Sequence, residues 1–180
     1  RFGDDTTEGF TDAVKQAKDK GAESIVVDLR NNPGGYLEAA VSMGSLMLPA
    51  GKVVVMEETS NGTRKEMKTR GGDMISGLKT VVLINQGSAS ASEILAGALR
   101  ENRDNVTLVG KKSFGKGSVQ ELIPVTKETA VKVTVAKWLT PKGNQINHVG
   151  INPDVEVDIT RDDLTTKKDP QMEKALELLR

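Results

Sequence analysis

Two short, nearly unbroken apolar runs set the limits on the fold. Ser24-Ile25-Val26-Val27-Asp28-Leu29 and Thr80-Val81-Val82-Leu83-Ile84 are too short for buried helices and too evenly apolar for strands with one wet face. Each therefore reads as a central strand buried on both sides. Each then runs into a turn of glycines and small residues, followed by a helical pattern. After the first come Asn31-Asn32-Pro33-Gly34-Gly35 and a buried helix over Leu37 to Leu48. After the second come Gly87-Ser88-Ala89-Ser90-Ala91-Ser92-Glu93 and a helix, begun by Ser90 or Ser92, that carries Ile94, Leu95, Ala98 and Leu99. Strand, turn and helix used twice in this way call for an α/β fold of strand-helix units.

The rest of the chain fits around those units. An N-terminal helix capped by Thr6 or Thr7 puts Phe10, Val14 and Ala17 on one face and closes at Gly21. Val53 to Met56 makes another strand, and Asn61-Gly62 is a two-residue hairpin signal between Glu57-Glu58-Thr59 and Thr63 to Met67, read as a polar, exposed ribbon. Val106 to Val109 is a core strand, and Val119 to Ile123 and Ala130 to Ala136 are consecutive antiparallel strands. Trp138 to Gly143 turns the chain, Val155 to Ile159 is an edge strand, and a polar linker from Thr160 to Asp169 precedes a helix starting at Pro170. The fold class is α/β with a β-rich C-terminal part. Residues 1–160 read as one core, and 161–180 as a polar linker with a short helix.

Composition excludes several chemistries. With no cysteine and one histidine, His148, the chain offers no thiol nucleophile, disulfide, zinc-thiolate site or histidine-rich metal site. No metal and no organic cofactor is called for. Twenty-five basic and twenty-five acidic residues balance, and no basic block marks a nucleic-acid partner. No apolar run approaches the roughly 18 residues of a membrane span. Residue 1 is Arg, so the chain is expected to be a fragment or processed form of a longer parent.

Ligands of open α/β sheets gather at the carboxyl ends of the strands. If the two strand-end turns lie side by side, their backbone N–H groups can form an oxyanion hole for acyl transfer, although Asn31 to Gly35 also reads simply as a tight turn. Asp28 and Arg30 read as a structural ion pair or loop anchor. Ser88, Ser90 and Ser92 are all candidate nucleophiles, and a serine needs a base. His148 reads as a turn or surface histidine, and Lys111 and Lys112 as solvated loop charges. Lys116, between Gly115 and Gly117, is the best placed lysine. A free lysine is neutral in roughly one molecule in 2,500 at pH 7, and lowering its pKa by about 3 costs on the order of 4 kcal/mol. Burial can do this, so Lys116 is expected to be sealed under Phe114. Gln120 faces the same side as Lys116 if strand alternation is regular.

Four segments in order, Asp28 to Gly35, Gly87 to Ile94, Ser113 to Gln120 and Lys137 to Gly143, closely resemble the C-terminal processing peptidases, also called tail-specific proteases. The resemblance covers roughly residues 1–160. It implies a crotonase-like (ClpP/crotonase-type) core and an ATP-independent serine endopeptidase that cuts proteins or peptides near their C-termini. It further implies Ser90 as nucleophile, Lys116 as base, Gln120 in support, and the N–H groups of Ala91 and of Gly34 or Gly35 as oxyanion donors. Family members usually carry a PDZ domain ahead of the core, which binds substrate tails by strand addition; this chain contains none. They commonly act in the bacterial cell envelope. A strand edge near Lys132 to Trp138, or the polar ribbon, is expected to align substrate. The competing reading is a non-catalytic peptide-binding or oligomer-forming module, and a homo-oligomer is compatible with either. A crotonase-like acyl-CoA enzyme fits less well, since it would want carboxylates where this chain has Ser and Lys.

Overall fold

The computed structural model describes all residues, Arg1–Arg180. In chain order its elements are α1 (Thr6–Asp19), β1 (Ser24–Asp28), α2 (Leu37–Met47), β2 (Val53–Thr59), β3 (Arg64–Lys68), β4 (Lys79–Ile84), α3 (Ala91–Asn102), β5 (Val106–Gly110), β6 (Ser118–Pro124), β7 (Ala130–Leu139), β8 (Val155–Glu156), α4 (Arg161–Thr166) and α5 (Pro170–Leu179). They make a mixed α/β fold with two sheets. One is parallel in the order β1-β4-β5-β8, and the other is antiparallel in the order β3-β2-β7-β6.

Period-two alternation divides the core. Along β4, Val82 and Ile84 join the main core with Leu95 and Leu99 of α3 and Ala40 and Met47 of α2. Val81 and Leu83 point the other way, into a smaller cluster with Val109 and with Ala175 of α5. The main core also takes in Val54, Val55 and Trp138 from the antiparallel sheet. The tip of the β6–β7 hairpin stands away from it, with Leu122, Ile123, Val125 and Val131 exposed.

Several sequence expectations change here. Strand β1 is not central but lies at the sheet edge, pairing only with β4. Its apolar run reflects burial from both faces: Ile25 packs on the main core and Val26 on the cluster under α5. The β2–β3 pair is not a free polar ribbon, because β2 also pairs with β7 and buries Val54 and Val55 completely. Its loop has three residues, not two. Thr59 N–H donates to Thr63 O, and the Asn61 side chain takes the Thr63 N–H inside the turn. Trp138 and Leu139 do not turn the chain; they end β7 and pair with Glu57 and Met56. The last strand is only Val155–Glu156, and the linker contains α4, capped by Thr160, whose side chain accepts from Asp163 N. Asp5, not Thr6 or Thr7, is the N-cap of α1.

Candidate active site

The neighbouring strands β1, β4 and β5 all point their carboxyl ends the same way, so the segments Leu29–Tyr36, Asn85–Ser90 and Lys111–Gly117 emerge together. The first two are knitted by asparagines. Asn85 Oδ1 accepts the Asn31 N–H (2.8 Å) and the Gly87 N–H (3.0 Å), while Asn85 Nδ2 donates to Asn31 Oδ1 (3.0 Å). Asp28 and Arg30 do form an ion pair at 2.7 Å, and Arg30 also reaches Asp169 at 2.8 Å, which ties the first turn to the start of α5.

The same bonds separate the three serines. Ser88 is fully buried: its Oγ donates to Leu29 O (2.8 Å) and accepts the Asn85 N–H (2.9 Å). Ser92 is also fully buried and donates to Asn32 O (2.9 Å). Both hydroxyls are committed to holding the turns. Ser90 is half-buried, sits at the N-cap of α3 with φ 56° and ψ −117°, and its Oγ makes no cap hydrogen bond. A positive φ at a residue with a Cβ is strained and clusters at functional positions.

Two backbone donors in the neighbouring residues are left without partners. As the first residue of α3, Ala91 has an N–H without an intrahelical acceptor, and it bonds nothing else. The Gly34 N–H is taken by Asn32 Oδ1 at 3.0 Å, whereas the Gly35 N–H has no partner. The first turn approaches so closely that a Cβ on Gly34 would lie 2.6 Å from Ala89 O and 2.8 Å from both Ala91 N and Ser90 Cβ, so only glycine fits. Of the two glycines, Gly35 keeps the free donor.

A cleft of about 380 Å³ collects Pro33, Gly34, Gly35, Tyr36, Ser90 and Lys116, with Arg1 at its rim. The cleft brings together the serine, the lysine and both glycines. Lys116 differs from expectation in one respect. Its side chain is exposed and makes no hydrogen bond to Ser90 Oγ, and Phe114 does not seal it but is itself 67 % exposed. Gln120 is not brought into the cleft. A register shift between Val119 and Gln120 breaks the alternation that would have aligned it with Lys116, and its exposed side chain bonds nothing. The glycines beside Lys116 answer to backbone crowding: a Cβ on Gly117 would collide with Asn147 N, and one on Gly115 would lie 3.1 Å from Gly150 N. His148 is an exposed turn residue at φ 59° whose N–H donates to Gly115 O (2.8 Å). Lys111 is not a free loop charge; it pairs with Glu156 (2.8 Å) and Asp158 (3.3 Å), and Glu156 foremost holds its pKa above the usual lysine value.

One residue of the site went unread in the sequence. Glu93, fully buried, accepts the Ser90 N–H and the Lys116 N–H on Oε2 (2.9 and 2.8 Å), and Ser113 Oγ and the Gly115 N–H on Oε1 (2.5 and 2.6 Å). The Ser-x-x-Glu spacing from Ser90 marks it as a capping residue; nothing in that spacing announces the bonds to Ser113, Gly115 and Lys116. No group of three or more His, Cys, Asp or Glu side chains converges to hold a metal, and no helix is long and apolar enough to cross a membrane.

A serine freed at a helix N-terminus shares one cleft with a lysine and the unpaired Gly35 amide, and the unpaired Ala91 amide follows that serine in the chain. The family model of peptidase family S41 matches residues 1–157. The chain belongs to peptidase family S41. Among curated S41 relatives, the carboxy-terminal processing protease CtpA of Bacillus subtilis is 42% identical over 158 residues, covering 88% of this chain and 34% of that protein. The carboxyl-terminal-processing protease of Synechocystis sp. is 42% identical over 170 residues, covering 93% of this chain and 39% of that protein. This S41 chain thus spans between a third and two-fifths of the length of those relatives. Among solved structures, the photosystem II D1 C-terminal processing protease superposes with a TM-score of 0.82 at 36% identity, over 87% of this chain and 40% of that one. Mature CPAF superposes at 0.77 over 96% of this chain and 46% of that one; at 14% identity, this is a likeness of fold.

Proposed function

We propose that this chain is the catalytic core of an ATP-independent serine endopeptidase of the C-terminal processing type, built on a crotonase-like core. The observation that carries the reading is the pair of unbonded N–H groups, on Ala91 and Gly35, beside the one serine hydroxyl left free by the turns. Lys116 takes the proton from Ser90 Oγ, and the oxygen attacks the carbonyl carbon of the substrate peptide. The Ala91 and Gly35 amides receive the oxyanion. As the tetrahedral intermediate collapses, the C–N bond breaks and the Lys116 ammonium gives its proton to the departing amine. Lys116 then takes a proton from water, which attacks the acyl-enzyme and releases Ser90.

The amine must be stripped of water to act as base, and Lys116 stands exposed in this chain. The occupied cleft, or a further part of the parent protein, is to supply the cover. In the same way, support from Gln120 requires the start of β6 to turn that side chain toward the cleft. A PDZ domain delivering substrate tails, assembly into homo-oligomers and action in the bacterial cell envelope are carried over from the family resemblance alone. The substrates are proteins or peptides cut near their C-termini, a reading supported by the curated relatives' being named carboxy-terminal processing proteases.

The exposure of Lys116 also favours a second reading, in which the fold binds peptide without cutting it. A fluorophosphonate probe separates the two. The first reading expects covalent labelling of the wild type, loss of labelling in Ser90→Ala, and at least a strong slowing in Lys116→Ala. Equal cleavage of an unfolded protein by wild type and Ser90→Ala would remove Ser90 as nucleophile. A fully active Lys116→Ala would remove the dyad.

A further inference from the structure

Glu93 is the only Asp, Glu, Lys, Arg or His of the chain that is buried, and the proposed mechanism makes no use of it. Burying a carboxylate is unfavourable unless its oxygens are filled by donors. Here they are filled by four donors and no cation, and the origin of the donors is informative. One is the amide of Ser90 itself. Another is the amide of Lys116 itself, and Gly115 N–H and Ser113 Oγ flank it in the same loop. Ser113 Oγ in turn accepts the Ile151 N–H at 2.6 Å, which anchors that loop to a further segment.

The nucleophile belongs to α3, above the parallel sheet, whereas the lysine belongs to the loop that opens the antiparallel strands β6 and β7. Beyond the carboxylate, the main direct bond between the two segments is from Phe114 N–H to Ser88 O (3.0 Å). One carboxylate oxygen, Oε2, is shared by the amides of both reacting residues. It therefore fixes their backbones relative to each other and bonds the strained Ser90 peptide from the N–H side.

We propose that Glu93 is a positioning residue that spans the site and holds Lys116 in register with Ser90, an inference that rests on the reading of those two as the dyad. Reach distinguishes this role from simple helix capping. Aspartate at the third helical position supports an N-terminus about as well as glutamate does, but its shorter side chain cannot hold both segments at their present separation. Glutamine keeps the length, yet it turns an NH₂ group toward backbone N–H donors.

The test is made on the natural protein with Glu93→Asp, Glu93→Gln and Ser113→Ala. Glu93→Asp is expected to keep the wild-type melting temperature within a few degrees while kcat falls about 100-fold and KM changes less than about threefold, the signature of misplaced reacting groups. Hydrogen exchange at the Gly115 and Lys116 amides is expected to rise by at least about tenfold, with the interior of α3 and β4 unchanged. Glu93→Gln should show the same pattern. If it fails to fold, Ser113→Ala, which removes one donor and keeps the carboxylate, is expected to lower kcat about tenfold. A Glu93→Asp protein with full kcat would overturn the proposal, as would Gly115 and Lys116 amides protected as in wild type. Should the wild type prove neither labelled nor active, the dyad reading is what fails, and the exchange of those amides still decides whether Glu93 holds the loop.

Discussion

Ser88, Ser90 and Ser92 alternate along one short segment and are chemically alike, yet they are expected to answer mutation in opposite ways. Ser88 and Ser92 are buried hydroxyls bonded to carbonyls of the first turn, so Ser88→Ala leaves Leu29 O and Asn85 N without that partner. Each substitution is expected to cost about 1–3 kcal/mol, read as a lower midpoint in urea, with labelling of Ser90 retained in the molecules that stay folded. Ser90→Ala is expected to leave the midpoint nearly unchanged and abolish labelling. Gly34→Ala acts on the opposite wall of the site. A methyl group at φ 89° and 2.8 Å from Ala91 N pushes the first turn away from the serine and carries the Gly35 amide with it. If Gly35 donates to the oxyanion as proposed, kcat is expected to fall by about 10²–10³-fold, which steady-state kinetics on a peptide would register. Much of this was legible in the residues: small residues at a strand-to-helix junction, glycines around a lysine, and two turns able to face one another. Gln120 and Glu93 were not. The position of Gln120 depends on a register shift that no alternation pattern reveals, and Glu93 gains its partners from a loop more than twenty residues away.

Among the elements, α5 and the turn after β1 are coupled by charge. Asp169 caps α5 through Met172 N (3.0 Å) and receives the Arg30 fork at 2.8 and 2.9 Å, and Arg30 in turn is held by Asp28. The Arg30 guanidinium foremost holds the Asp169 carboxyl below the usual carboxylate range. A carboxyl whose pKa is lower folded than unfolded adds stability that is fully present above its unfolded value, near 3.9, and is lost as pH falls through the folded value. Wild type is therefore expected to lose melting temperature more steeply below about pH 4 than Asp169→Asn does, the two curves converging at the acid end. At neutral pH, Asp169→Ala should cost about 1–2 kcal/mol, most of it the lost cap, since the ion pair is partly exposed and screened. The misplacement of β1 belongs to this scale too. Apolar residues along a strand report what covers its faces, here the main core and α5, whereas a central place depends on hydrogen bonds at its edges, which leave no hydrophobic signal.

For the whole molecule, the question is whether two sheets make one folding unit. The serine side of the cleft rises from the parallel sheet and the lysine side from the start of the antiparallel one, so the proposed pairing of Ser90 with Lys116 requires that neither sheet loosen alone. Trp138, Val54 and Val55 of the antiparallel sheet sit in the same core as Val82, Ile84 and Leu108 of the parallel sheet, with Leu95 and Leu99 of α3 in that core as well. No polar layer divides them, and opening either sheet exposes apolar surface of the other. The backbone adds a direct link, because Trp138 N–H donates to Gly117 O (2.6 Å), next to the lysine. The chain has a single tryptophan, so its fluorescence reports specifically on that junction. In a urea titration, Trp138 fluorescence, far-UV circular dichroism and labelling of Ser90 are expected to share one midpoint, as a cooperative unit requires. A fluorescence transition that clearly precedes the loss of helix would mean that the antiparallel sheet melts on its own. In that case labelling should follow the fluorescence and not the helix signal, because the lysine would leave the cleft while the serine was still held at the start of α3.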